Sequence, residues 1–184
     1  GRPCRLIGGG EGEVEARRRE ARRRLRAARA LPAGTGAGRA WLASRYGGPH
    51  LRDDLLDRGL LVETLETATT WSRLDGLRAA VYAALDGLHV GCHISHVYPT
   101  GASLYFTALG VRDASDPAAQ WQRAKTAACE AILAAGGTLT HHHAVGRDHA
   151  PWLAREDAGA AELLRALKER LDPAGIMNPG KLLA

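Results

Sequence analysis

The chain has 184 residues, of which 45% are hydrophobic, so it is long enough for one domain with a sizeable core. No apolar run approaches the roughly 20 residues that a membrane-spanning helix needs, and no secretory signal is visible, so we expect no transmembrane segment. The three cysteines, Cys4, Cys92 and Cys129, are widely spaced and suggest neither a disulfide framework nor a metal pair. These features predict a cytoplasmic protein.

The net charge of +5 comes from one short stretch of the chain. Eight arginines lie in it, and without them the remainder is slightly acidic: Arg17, Arg18, Arg19, Arg22, Arg23, Arg24, Arg26 and Arg29. They alternate with alanine and glutamate at helical spacing, without the glycines, aromatic residues or recognition motif expected of a nucleic-acid-binding surface. The pattern predicts a solvent-exposed helix face, and we expect no nucleic-acid partner.

Hydrophobic periodicity and turn residues predict the order of elements along the chain. They are a strand at 4–9, helices at 11–30 and 39–46, a helical turn at 52–57, a strand at 60–68, a helix that Ser72 opens as N-cap, strands at 89–98 and 102–111, and helices at 116–135 and 158–171. Because the chain opens in a predicted strand, we expect upstream sequence to be missing. The order predicts an α+β fold, with a mainly antiparallel sheet, helices packed on one of its faces, and a C-terminal helical tail.

The last two predicted strands are joined by a short connection, so they should pair as an antiparallel hairpin. Side chains alternate between the two faces of a strand, which places Ser103, Tyr105 and Thr107 together, opposite Leu104 and its neighbours. A tyrosine among hydroxyl groups can line a cavity and exchange a proton. It can equally lie with its hydroxyl at the sheet edge, and the alternation does not decide between the two.

Three consecutive histidines, His141, His142 and His143, lie between a glycine pair and a glycine turn. Each ring has two nitrogens that need partners, and an unpaired buried polar group costs roughly 1–3 kcal/mol, so the three cannot all be buried in a core. At least one should face a polar cavity, a ligand or solvent. Imidazoles titrate near neutral pH and suit proton transfer and anion contact. The alternative is an exposed polar loop without a function.

A metal site is not expected from the spacing of the histidines. Adjacent histidines rarely converge on one ion, and no His-Glu-x-x-His motif is present. His96 and Tyr98 fall on one face of the predicted strand and His93 on the other, which makes His93 and His96 poor joint ligands. We therefore predict no metal.

Six ordered motifs run along most of the chain. They are Leu51–Asp53, Val62–Thr67 with Trp71, Cys92–Tyr98, Gly101–Phe106, His141–His143 with Val145 and Gly146, and Asp172–Lys181. With these motifs the stretch from Trp71 to Leu183 resembles the C-terminal part of the FAD-linked oxidases of the vanillyl-alcohol oxidase type. Within that family the resemblance is strongest to the alkyldihydroxyacetonephosphate synthases and their bacterial homologues.

The resemblance implies roles for particular residues. In the family the histidine run belongs to the active site close to the flavin, so His141–His143 are implied as catalytic. The tyrosine of the Gly-Ala-x-x-Tyr-Phe strand, here Tyr105, is the proposed acid/base residue. The arginine of the Arg-Asp pair, here Arg52, contacts the substrate phosphate, and Arg147 is a second candidate for gripping an acidic substrate.

The implied cofactor is FAD, with His142, His143, Asn178 and Lys181 as the residues on its side. The synthases exchange an acyl chain for a fatty alcohol through a flavin N5 adduct without net redox change, whereas other members are oxidases, and the sequence leaves both chemistries open. Ala144 departs from the family pattern, in which a glycine usually follows the histidines.

The resemblance also implies a division of the chain. Residues 1–135 are expected to form a substrate-binding cap domain that is partial at its N-terminus, and residues 136–184 the histidine loop and a tail that packs on an upstream FAD-binding domain. The glycine-rich pyrophosphate loop of that domain does not occur here, so we expect the chain alone not to hold FAD tightly. The full-length enzyme is expected to be a homodimer. The alternative is a non-catalytic module that binds an acidic ligand after loss of the flavin domain.

Overall fold

The computed structural model describes residues 11–32 and 34–183, and it divides the chain into two compact units after Pro49. The strand predicted at 4–9 lies outside the described residues, as does Cys4. The division after Pro49 concerns packing alone, so the expected division into cap and tail at residue 135 stays a prediction about function.

The first unit contains the arginine-rich helix. Helix α1 spans Glu11–Ala27 and α2 spans Gly36–Ser44, while α3 runs from Gly48 to Asp57, across the boundary between the units. The arginines of α1 are exposed, as predicted, and several pair with glutamates one turn away. Hydrogen bonds from Arg23 and Arg24 lower the pKa of Glu20 to about 2. Helix α3 is longer than the predicted turn because it already begins at Gly48.

The second unit is built on a three-stranded antiparallel sheet. Strand β1 spans Leu60–Thr70, β2 spans His89–Ser95 and β3 spans Gly101–Val111, with β3 in the centre. Helices α4 (Leu74–Ala84) and α5 (Pro117–Ala134) pack against each other and against the sheet, followed by α6 (Ala150–Glu156) and α7 (Ala158–Leu171). The predicted α+β class, the antiparallel sheet and the hairpin are therefore confirmed.

The core lies between the sheet and helices α4 and α5. Leu104 and Phe106 of β3 are fully buried there with Leu77, Val81 and Ile132 of the helices. Full burial of such a side chain stabilises the fold by roughly 1.5–3 kcal/mol. Because successive side chains of β3 alternate, burying Leu104 and Phe106 against the helices turns Tyr105 to the opposite face, as the alternation predicted.

Two local predictions were wrong, and one helix was missed. Strand β2 ends at Ser95 rather than at residue 98, because His96 adopts a left-handed backbone with φ 44°, which a strand cannot contain. Ser72 is not an N-cap: a 3-10 turn at Trp71–Arg73 precedes α4, and the Ser72 hydroxyl contacts that of Thr70. Helix α6 was not anticipated. Within residues 11–32 and 34–183, every helix is too short or too polar to cross a bilayer.

Candidate active site

The candidate site lies on the face of the sheet opposite the core. The antiparallel register sets Glu66 of β1 beside Tyr105 of β3, and Tyr105 beside His93 of β2. The loop that carries the three histidines lies over this row, as the contacts below show. Strand β1, strand β3, the turn after β2 and the histidine loop therefore supply its polar groups.

Two glycines and a threonine bring the histidine loop from the helix side to the open face. After α5 the chain turns at Gly136, where φ is 71°. It then passes so close to β1 that a Cβ at Gly137 would lie 2.7 Å from Thr67 Oγ1. Thr138 N–H donates to the Ala68 carbonyl at 2.9 Å, and the Thr138 hydroxyl accepts from Ala68 N–H at the same distance. These bonds fix where the histidine run begins.

A buried carboxylate, Glu66, is the centre of the site. Its side chain is 4% exposed. His141 Nδ1–H donates to Oε1 at 3.1 Å, and His143 Nε2 lies 2.9 Å from Oε2. His96 Nε2 approaches Oε1 to 3.9 Å. Because both oxygens face imidazoles, the carboxylate sets the orientation of His141 and His143 together.

The remaining rings pack around this centre. The hydroxyl of Tyr98 lies 3.2 Å from His141 Nε2, the nitrogen that Glu66 leaves free. His142 stacks edge-on against His141 with ring centroids 4.0 Å apart, and His96 lies 5.1 Å from His142. Because the Glu66 carboxylate accepts from Nδ1, a neutral His141 carries its proton on Nδ1. Its Nε2 then accepts from the Tyr98 hydroxyl.

Tyr105 and His143 are in contact on the open face of the sheet. The Tyr105 ring meets the His143 ring edge-on at a centroid distance of 5.6 Å. The side chain of His143 is 44% exposed, so a further molecule can reach this pair of rings. The structure thus brings together the four residues predicted as catalytic, while their catalytic roles stay predictions.

The histidine loop carries backbone strain at two positions. His142 and Ala144 have φ of 61° and 62°, in the left-handed region that costs an L-residue roughly 1–2 kcal/mol. Glycine adopts this conformation freely, which explains why a glycine would suit position 144. At the far end of the loop the backbone N–H of His149 donates to the Val145 carbonyl at 3.3 Å. Burial lowers the pKa of the His149 imidazole.

The predicted anion-binding arginines lie apart from the histidines. Arg52 is exposed on α3, and its described contacts are with the carboxylate of Asp53, at 3.2 Å. Arg147 lies against the tail, where its guanidinium comes within 3.6 Å of a Cβ placed on Gly180. The chain alone therefore does not assemble both arginines with the imidazoles.

The predicted cofactor-side residues of the tail line an apolar groove beside the histidine loop. Leu182 N–H donates to the Gly146 carbonyl at 3.2 Å and ties the tail to the loop. A groove of about 770 Å³ follows between α7 and the tail. Its lining includes Asn178 and Lys181 together with Val145, Leu167, Leu171 and Met177.

Three members of the site were missed by sequence reasoning. Glu66, His96 and Tyr98 belong to it through contacts with the histidines. Glu66 could have been noticed in the sequence, because alternation of side chains along β1 places it on the face opposite the core. Which residue of β3 lies beside it depends on the register of the two strands. For His96 and Tyr98 the strand prediction ran too far and concealed the turn.

Comparison with known proteins identifies the family of this chain. The family described as FAD linked oxidases, C-terminal domain, matches residues 8–182. The chain belongs to this family. FAD is accordingly the family cofactor, and the resemblance drawn from the motifs is confirmed.

Relatives of this FAD-linked oxidase domain include named synthases. The alkyldihydroxyacetonephosphate synthase of Dictyostelium discoideum is 36% identical over 159 residues, which cover 82% of this chain and 26% of that protein. The synthase of Trypanosoma brucei brucei is 34% identical over 160 residues, with the same coverage. An uncharacterised FAD-linked oxidoreductase of Escherichia coli (strain K12) is 27% identical over 143 residues, which cover 71% of this chain and 30% of that protein.

A solved structure of alkyldihydroxyacetonephosphate synthase, in its P1 form, matches with a TM-score of 0.58 and 25% identity. The match covers 92% of this chain and 28% of that chain. The chain therefore spans about a quarter of the length of the synthases it matches.

Proposed function

We propose that this FAD-linked oxidase domain carries the substrate-binding and catalytic side chains of a flavoenzyme that acts on an acidic substrate, in the manner of an alkylglycerone-phosphate synthase or a related oxidase. The observation that carries the proposal is the contact between the rings of Tyr105 and His143, with Glu66 beneath the histidines. A phenol and an oriented imidazole at one opening are suited to moving a proton at the reacting carbon of a bound substrate.

Each side chain has a distinct part in this proposal. Tyr105 exchanges a proton with the substrate, and His143, at its edge, passes that proton on. Glu66 holds His141 and His143 in fixed orientations, and His143 can donate to an anionic oxygen when it also carries a proton on Nδ1. Arg52 and Arg147 bind the phosphate or carboxylate of the substrate once further chain is assembled on this unit.

The residues present fit the ring end of FAD and not its pyrophosphate. His142 and His143 are polar and exposed on the open face of the sheet, where a flat ring can approach, and bound FAD would supply the electron-accepting chemistry there. Asn178 and Lys181 on the tail would face the cofactor from the groove. We propose that residues 1–135 act as cap and 136–184 pack on an FAD-binding domain, in a cytoplasmic homodimer.

The test replaces Tyr105 by Phe in the FAD-loaded protein that carries this chain. Removing the hydroxyl is expected to lower kcat by about 10²–10⁴-fold, the usual contribution of a general acid or base, while the flavin absorbance is unchanged. Tyr82→Phe is the matched control, because Tyr82 packs against Phe106 on the other face of the sheet. Equal kcat in both variants would remove Tyr105 from the chemistry.

The same preparation separates catalysis from mere binding. Titration calorimetry with a phosphate ester, with and without FAD, tests whether this group of residues works as a flavoenzyme site. Phosphate-ester binding that FAD does not affect, together with no flavin-dependent turnover, would show a non-catalytic binding module instead.

A further inference from the structure

Three side chains on the open face of the sheet point their ligand atoms at one point. The Glu66 carboxylate, His96 and His141 each offer one atom, and these atoms all lie within 4.8 Å of one another. His141 Nδ1 is 3.1 Å from Glu66 Oε1, and His96 Nε2 is 3.9 Å from the same oxygen. We infer that these three groups form a binding site for one divalent transition-metal ion such as Zn²⁺.

The spacing fits a metal of this size. Zinc binds nitrogen and carboxylate oxygen at about 2.0–2.2 Å, so ligands at tetrahedral corners lie roughly 3.4 Å apart. The two measured separations fall on either side of that value. Small rotations of the exposed His96 ring close the longer one. Three protein ligands leave the fourth position open to water or a substrate oxygen.

The groups around the ligands have the geometry of a supporting shell. A ligating imidazole usually donates its other N–H to an oxygen, and a ligating carboxylate is usually hydrogen-bonded itself. With Nδ1 of His141 on the metal, its proton moves to Nε2, which lies 3.2 Å from the Tyr98 hydroxyl. His143 Nε2, at 2.9 Å from Oε2, holds the oxygen of Glu66 that faces away from His96 and His141.

The charge of the site favours a cation as well. Glu66 is almost fully buried, and all its ion-pair partners in the described chain are histidines, with no lysine or arginine among them. A buried carboxylate needs a compensating charge, which a divalent ion supplies. Two imidazoles with one carboxylate prefer Zn²⁺, Co²⁺ or Ni²⁺ to Mg²⁺ or Ca²⁺, which favour oxygen ligands alone.

The sequence predicted no metal partly because it placed His96 within a strand, and that placement was wrong. His96 was expected within a strand, on the face opposite His93. The strand ends one residue earlier, and the left-handed turn at His96 directs its ring to Glu66. The ligands come from β1, the turn after β2 and the loop after α5, so no local spacing motif could reveal them.

The test is a titration of the 184-residue chain with Co²⁺ and Zn²⁺. The chain is expected to bind one equivalent, with cobalt absorption bands in the visible range and a matching heat of zinc binding. Glu66→Gln and His96→Ala should each weaken binding at least tenfold. His89→Ala, an exposed histidine at the start of β2, should leave it unchanged. Circular dichroism checks the fold, and His96→Ala keeps the test valid if Glu66→Gln fails to fold.

A run of three histidines can also bind metal ions by itself, without Glu66 and His96. The variant His142→Ala distinguishes binding by the run from binding by the proposed site. If the metal binds to Glu66, His96 and His141, the affinity of this variant for the metal should fall by at most about threefold, because His142 is not a ligand. Loss of binding with His142→Ala together with full binding by Glu66→Gln would overturn the inference, as would the lack of saturation at one equivalent. The titration uses neither FAD nor substrate, so its failure leaves the proposed function intact.

Discussion

Two largely buried carboxylates on strand β1 have different partners on the two faces of the sheet. Glu63 faces the helices, where Lys125 binds it at 3.0 Å and the indole of Trp121 donates to it. Glu66 faces the open side, and among residues 11–32 and 34–183 its ion-pair partners are all imidazoles. The first pair joins a fixed charge to a fixed charge and ties α5 to the sheet. The second joins a carboxylate to groups that can exchange protons or bind a metal.

The largest predicted effect breaks the helix-side pair. Lys125→Met leaves the Glu63 carboxylate largely buried without its counter-charge, and unfolding in urea should show a loss of about 3–5 kcal/mol. Glu66→Gln is the comparison variant on the other face. It removes the buried charge and does not leave one without a partner, so the free energy of unfolding should fall by about 1–3 kcal/mol. Equal losses in the free energy of unfolding would contradict the difference between the fixed ion pair of Glu63 and the imidazole partners of Glu66.

A smaller effect concerns pH. Burial, chiefly, and the nearby Lys125 charge lower the pKa of His149, against the opposing effects of Asp148 and Glu63. The unfolded chain takes up a proton near pH 6.5 while the folded imidazole stays neutral, so this contribution to stability is complete above that pH. It is lost as the pH falls through the folded pKa.

His149→Gln should therefore flatten the pH dependence of the free energy of unfolding below pH 6.5. Urea titrations at several pH values between about 7.5 and 5 measure the slope. His89→Ala, which removes an exposed imidazole, is expected to keep the slope of the parent chain. A parent-like slope in His149→Gln would show that this ring does not resist protonation.

The smallest effect strengthens the histidine loop. Ala144 has φ 62°, which glycine adopts without the steric cost of a Cβ, although glycine is also freer in the unfolded chain. Ala144→Gly should therefore raise the free energy of unfolding by about 0.5–1 kcal/mol. Ala135→Gly, where φ is −83°, should instead destabilise the chain. A loss at both positions would contradict the strain assigned to Ala144.

The sequence by itself determined the fold class and named Tyr105 and His141–His143 as candidates for the site. Alternation along β3 separates Leu104 from Tyr105, because burial of one face requires exposure of the other. Three adjacent imidazoles cannot all enter a core, so their residue type and adjacency alone predicted that at least one would face a polar cavity, a ligand or solvent. Both inferences follow from local rules that hold wherever these residues lie in space.

Only the tertiary structure decided which groups complete the site. Glu66 meets the histidines because the register of β1 on β3 sets it beside Tyr105, and because Gly137 lets the chain cross close to β1. His96 joins them because β2 ends at Ser95. Register and strand ends depend on packing between segments far apart in the chain, so no local pattern encodes them.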